Sequence, residues 1–356
     1  MSRRTGEKNA VSIALTYAGC MLGAGFVSGQ EIWQYFGAYG KSGILSLILS
    51  FVLLAAATLL LVVLSRKLGK TAMDELILKA DLPAVKNLLG DLTAVIIFCN
   101  VFIMVAGIGA LAEELTGLPA PAVNLAVTAL IGLCSYFGIG GMMTVFDLLV
   151  PLLVASTLVI CGVRLGGAGP AGVRFTQSAA VNPMLGGCAP ASVNYAAMNF
   201  FGVITVFPPI GQKIAKGRTM VFALILGTVL LIFSGLGIVL ALCTAPEAVK
   251  SEIPMQTMAL TLGRTPGVMI AFMLFAAMFG VGVSYQVSTL SYLEERSEKM
   301  KKHRPAVLAA CLLIAYALSL FGFGDLIGFL YPIFGYFGVL LILLLALRYA
   351  GTFRRR

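Results

Sequence analysis

Runs of about 20 apolar residues repeat along the whole chain, separated by short basic or glycine-rich segments. The pattern predicts an all-α polytopic membrane protein of ten transmembrane helices, at roughly 9–36, 42–65, 90–113, 119–138, 142–164, 190–212, 219–243, 266–295, 305–323 and 326–348. Two of these spans are interrupted. The first carries Gly19, Gly23, Gly25 and Gly29 together with Ser28, Gln30 and Glu31. Irregular backbone at membrane depth survives only where protein or a water-filled cavity satisfies its amides, so helix 1 is expected to be broken. The sixth span carries Asn199, Gly202 and the pair Pro208-Pro209. A break is expected there too, with an ordinary proline kink as the alternative.

The interruptions fall into a repeat. Ser135-Tyr136-Phe137-Gly138-Ile139-Gly140 recurs as Ser319-Leu320-Phe321-Gly322-Phe323-Gly324, with Pro151 and Pro332 following. Leu111-Ala112-Glu113-Glu114 ends the third span as Tyr292-Leu293-Glu294-Glu295 ends the eighth. The offset is five spans, and an odd number inverts the second copy relative to the first. A 5+5 inverted repeat is therefore expected, with 1–165 as the first half, 166–189 as an extracellular loop and 190–356 as the second half.

Composition agrees with the pattern. Only 11% of the 356 residues are charged, against about 25% in a soluble domain. The net charge of +10 does not point to nucleic acid. With the amino terminus inside, only Lys41, Arg164, Arg174, Lys250 and Arg264 of the 25 basic residues fall in outer segments. That bias places both termini in the cytoplasm, where the basic loops meet anionic lipid. Ala18-Gly19-Cys20 has the look of a lipoprotein cleavage site, but Tyr17 suits it poorly and cleavage is not expected. The seven cysteines form no CxxC pair and read as buried structural thiols, with Cys188–Cys243 as the alternative of an outer disulfide. His303, the single histidine, lies in a basic loop, which excludes a histidine relay within the membrane.

The breaks suggest chemistry. The outer half of helix 1 begins near Gly25 with free amides that suit a carboxylate, and the glycines of Gly23-Ala24-Gly25 allow close approach. The inner half ends near Gly19–Leu22 with free carbonyls that suit a cation. Carbonyls near Asn199 suit an ammonium group. Phe26, Ser28, Phe200 and Gly202, with Met21 and Phe201, are candidates for the surrounding wall. On the eighth span Ser288 and Thr289 lie level with Gly19 and offer hard oxygen ligands for sodium, unless they bond back to their own helix. Glu31 stands roughly 9 Å beyond Gly25. It is a candidate cation ligand, proton carrier or gate, with pairing to Lys41 or Arg264 as the alternative. Gln30 lines the cavity or faces a neighbouring helix. Asp147 reads as a boundary residue, and Glu294-Glu295 with Arg296 as a solvated helical extension.

Gly-Ala-Gly-Phe-x-Ser-Gly-Gln-Glu at 23–31, set in ten spans, resembles the YkvI family of bacterial membrane proteins, which is grouped with amino-acid permeases. The likeness covers nearly the whole chain. More distantly the chain is similar to the leucine-transporter (LeuT) fold of the amino acid–polyamine–cation superfamily. That resemblance implies a sodium site at Gly19, Leu22, Ser288 and Thr289 with the Tyr285 carbonyl. It also implies a substrate-carboxylate site at Gly23-Ala24-Gly25, a helix 6 break near Asn199, and residence in the bacterial cell membrane. The chain departs from the sodium-coupled neurotransmitter branch, with Phe26 where that branch has asparagine. It also has Glu31 and Asp325 near the mouth where the branch has an arginine–aspartate gate. Span five lacks the lysine that proton-coupled relatives use, which favours sodium.

The expected function is sodium-coupled symport of an amino acid or small amine by alternating access. A proton-coupled permease or exchanger using Glu31 is the first alternative, and a non-transporting receptor with the same pocket is the second. Na+ is the one cofactor expected, with no organic cofactor. The expected partners are a small-molecule substrate and membrane lipids, and no nucleic acid. No nucleophile–base pair or metal cluster points to an enzyme, and the glycines of 19–31 lack the lysine and preceding strand of a phosphate loop. Nothing in the sequence bears on oligomeric state.

Overall fold

The computed structural model describes residues 10–77, 83–137, 142–175, 181–214 and 217–353. Residues 10–35 form three helices: α1 (Ala10–Gly19), α2 (Ala24–Ser28) and α3 (Gln30–Tyr35). Long helices follow as α4 (Lys41–Leu68), α6 (Pro83–Thr116), α7 (Ala120–Phe137) and α8 (Met142–Gly172), with the short α5 (Met73–Ile77) between the first two. The second half runs α9 (Cys188–Ile204), α10 (Phe207–Lys213), α11 (Gly217–Leu242), α12 (Pro254–Leu262), α13 (Arg264–Arg296), α14 (Glu298–Lys302), α15 (Arg304–Ser319) and α16 (Phe323–Phe353).

Among the described residues seven helices are long and apolar enough to cross a membrane, and eight if α9 and α10 are one span bent by 60°. α1 and α15 are shorter apolar helices in the places of the first and ninth expected spans. Helix ends follow local chemistry. α4 stops at Gly69, whose left-handed φ of 66° lets its amide bond back to the Ser65 carbonyl. Arg66 and Lys67 in the last turn sit where the helix dipole favours positive charge. α10 and α12 each begin with proline in the first turn, where the missing N–H costs nothing.

α6 packs along α13, α9 lies between α4 and α16, and α1 lies on α11. Contact between α9 and α16 is close. A Cβ built on Gly338 would lie 2.0 Å from the Ala197 carbonyl oxygen. Small residues that let backbones approach are how helices associate in lipid, where no hydrophobic force separates one apolar surface from another. Large apolar side chains such as Leu45, Phe137, Phe233, Phe272, Leu313 and Leu347 point outward, as contact with hydrocarbon requires.

The structure adds three details to the sequence reading. α12 was not foreseen; it is too short to register as a span, yet Met255, Gln256, Met258 and Ala259 are buried against the bundle. Glu294, Glu295 and Arg296 end α13, with Glu295 and Arg296 exposed, as a solvated helical extension. Arg296 also pairs with Asp91 of α6 at 3.3 Å, and Arg304 with Glu294 at 3.1 Å. Cys188 and Cys243 are free thiols, as are the other five cysteines, so the outer disulfide is absent. The terminal basic residues, positions 138–141 of the first repeat motif and the Asp147 side chain lie outside the described residues.

Candidate functional site

At the end of α1 the chain leaves helical geometry. The amides of Met21 and Leu22 both bond to the Ala18 carbonyl, at 2.9 and 2.8 Å, and Gly23 N–H turns back to Met21. Among the described residues no backbone N–H donates to the carbonyls of Gly19, Cys20 or Leu22, and the amides of Ala24, Gly25 and Phe26 find no acceptor. α2 then lasts only five residues. Gly29, with φ of 83°, joins it to α3 and puts Glu31 back over the break.

A cavity of about 290 Å³ opens at this break. Its walls are Gly19–Phe26 and Glu31 from the first span, Ile96, Asn100 and Met104 from α6, and Met198, Asn199, Phe201 and Gly202 from α9. Val281 and Tyr285 from α13 and Tyr331 and Phe334 from α16 complete it. Gly202 is needed for closeness, because a Cβ there would lie 3.0 Å from the Cys20 carbonyl oxygen.

Glu31 is the one acidic residue on these walls. It is 5% exposed. Its Oε1 accepts a hydrogen bond from the Tyr195 hydroxyl at 2.9 Å. Oε2 lies beside Gly25, 2.6 Å from where a Cβ would stand, and the Tyr331 hydroxyl lies 3.2 Å from the same point. Among the described residues no lysine or arginine pairs with Glu31, so the expected alternative with Lys41 or Arg264 is not formed. Tyr195 is held in turn by ring contacts with Tyr35, Phe36 and Phe51. Tyr35 donates to Asn194 Oδ1 at 2.9 Å, and Asn194 donates to the Pro332 carbonyl at 2.9 Å, which ties α3, α9 and α16 together.

Of the residues singled out from sequence, Gly19, Leu22, Gly23, Ala24, Gly25, Phe26, Glu31, Asn199, Gly202 and Tyr285 meet at this cavity. Ser28, Gln30, Phe200, Ser288 and Thr289 do not line it. The Ser28 hydroxyl donates to the Gly25 carbonyl at 2.7 Å and accepts from the Gln30 amide, so it shapes the α2–α3 turn. Gln30 faces the start of α16 at Gly324. Phe200 is fully buried in the core. Ser288 is exposed and its hydroxyl donates to the Ser284 carbonyl at 2.9 Å. Thr289 is buried with its hydroxyl unpartnered.

Asn100, Tyr331 and Tyr195 were not singled out from sequence. Asn100 offered a signal, as an amide within the apolar run of α6; here its Nδ2 donates to the Ile96 carbonyl at 2.8 Å. The two tyrosines carry no pattern that separates them from other aromatic residues of the spans.

Two relatives match over more than nine-tenths of the chain. YkvI of Bacillus subtilis (strain 168), an uncharacterized membrane protein, is 24% identical over 336 residues and covers 92% of each chain. YyaD of the same organism is 25% identical over 352 residues, covering 94% of this chain and 95% of its own. The chain is a homologue of YkvI and YyaD. No family model matches it. Among solved structures, the inward facing conformation of Mhp1 aligns with 92% of this chain and 73% of that one, at a TM-score of 0.53 and 13% identity. The YkvI homologue is therefore a multi-pass helical membrane protein with a LeuT-like fold.

Proposed function

We propose that this chain is a secondary active transporter of an amino acid or small amine, working by alternating access, with the cavity at the helix 1 break as its substrate site. One observation carries the reading: Glu31, a carboxylate without a cationic partner among the described residues, on the wall of a cavity built from discontinuous helix. An ionisable group inside a bundle, facing a polar break, is the usual mark of a substrate or ion pathway. In this reading the ten helices form a 5+5 inverted repeat. Helix 1 (α1–α3) and helix 6 (α9–α10) are the broken pair, and the chain sits in the bacterial cell membrane with both termini cytoplasmic. Glu31 carries the coupling proton.

A second reading, sodium coupling, has its own support. The unbonded carbonyls of Gly19 and Leu22 face the same cavity as Tyr285, and the buried Thr289 hydroxyl, four residues further along α13, has no partner. A receptor that binds without transporting remains the alternative from a different class. No enzymatic role is proposed.

Thermal stabilisation of the purified protein by a panel of amines and amino acids separates the two couplings, with sodium against potassium and pH 5.5 against 8. A ligand at about 100 times its Kd adds about 2.7 kcal/mol to the folded state. Stabilisation that follows pH and ignores sodium supports the proton reading. Stabilisation that requires sodium, and is lost in Thr289→Ala, replaces it with the sodium reading.

A further inference from the structure

We infer that the cavity takes a monovalent organic cation lacking a carboxylate, and exchanges it for one proton on Glu31. The inference rests on the cavity being the substrate site. Its first support is position. The free amides at Ala24–Phe26 are the feature expected to receive an amino acid's carboxylate, but Glu31 Oε2 already stands beside Gly25. A second carboxylate there would meet like charge at short range. The helix behind those amides is only five residues long, so little dipole accumulates to offset that repulsion.

The second support is charge balance. The ionisable groups facing Glu31 are Tyr195 from α9, Tyr331 from α16 and Tyr35 from its own helix. Tyr285 of α13 and the Cys20 thiol lie across the cavity. α6 presents Asn100 but no ionisable side chain. α11 and α12, which pack on the same segment, bring no charged partner to Glu31. One negative charge in an apolar bundle is neutralised by one positive charge, and since no basic side chain among the described residues supplies it, a proton or the cationic substrate can do so in turn. The two are mutually exclusive on one carboxylate.

The third support is the wall. Phe26, Phe201, Phe334, Tyr285 and Tyr331 line the same cavity as the acid, and aromatic rings attract an organic cation that meets their faces. The volume of about 290 Å³ admits about ten water-sized groups at about 30 Å³ each.

The exchange balances. The acid O–H of Glu31 breaks heterolytically, the carboxylate keeps the electron pair, and the proton leaves to water as the cation docks. On the other side the cation departs and a proton from water re-forms the O–H bond. One positive charge moves each way, so the cycle is electroneutral.

The test uses the full chain, purified in weakly buffered detergent solution with a pH indicator. The probe is benzyltrimethylammonium, a permanent cation with no proton of its own to give. One proton should appear per cation bound. Where Glu31 carries the proton, the apparent Kd should rise tenfold for each pH unit lowered. Glu31→Gln should release no proton and bind at least tenfold more weakly. Glu31→Asp, which keeps a carboxylate, should restore the release and so separates chemistry from folding. Cation binding without proton release overturns the exchange. Binding of leucine or Mn2+ but not of benzyltrimethylammonium overturns the organic-cation assignment and leaves the transporter reading standing. Binding of none of the three removes both.

Discussion

Glu31 is held at its Oε1 by one hydrogen bond, from Tyr195. Tyr195→Phe removes that donor and leaves a buried acceptor unpaired, which costs about 1–3 kcal/mol. The expected result is a lower melting temperature of the purified protein, with the rings around position 195 still packed; an unchanged melting temperature contradicts it. Glu31 was legible in the sequence because a carboxylate in an apolar run stands out. The rotation of a helix was not legible. Ser288 and Thr289 are neighbours in sequence, so they point about 100° apart on α13. Packing turns Thr289 into the bundle and leaves Ser288 outside. Nothing in the local sequence decides which of two adjacent hydroxyls faces inward. Tyr331 is hidden for the same reason, since an aromatic residue on an apolar helix looks alike whether it meets lipid or a cavity.

The elements were easier to read than their faces. Glycines at 19, 23, 25 and 29 fall where the chain forms three short helices. Pro208-Pro209 marked the turn between α9 and α10, which bend by 60°. Long apolar runs gave α4, α11 and α13 to within three residues at each end, while α6 starts seven residues before its expected span and α16 ends five beyond. Two kinds of element escaped. α12 is nine residues long and has no span-length signature. The part played by α6 in the cavity comes from its crossing against α13, a fact of tertiary packing. Close approach of helices has a direct test. Gly338→Leu forces a side chain into the Ala197 backbone, which cannot give way as a flexible side chain can. Overpacking of this kind costs about 1–3 kcal/mol or more. The variant should melt at lower temperature than Gly338→Ala, which should itself melt below the parent. Equal melting temperatures would mean that α9 and α16 do not pack this tightly.

At the scale of the whole molecule, hydropathy alone established a helical membrane protein, and the 23–31 motif pointed to the relatives that the comparisons then found. The offset of five spans between the two motif pairs is a feature of the sequence alone, and part of its first motif lies outside the described residues. What the sequence left open was the combination: which breaks share a cavity, and whether a cation neutralises Glu31. The central claim is that this cavity moves cations across the membrane at the expense of a proton gradient. The most direct measurement is uptake of radiolabelled benzyltrimethylammonium into proteoliposomes with an acidic interior and a neutral exterior, without sodium. The cation should accumulate, and the accumulation should collapse when the pH gradient is dissipated. Glu31→Gln protein of unchanged melting temperature should give none. Accumulation that persists in Glu31→Gln, or wild-type protein that accumulates nothing under this gradient, would contradict it.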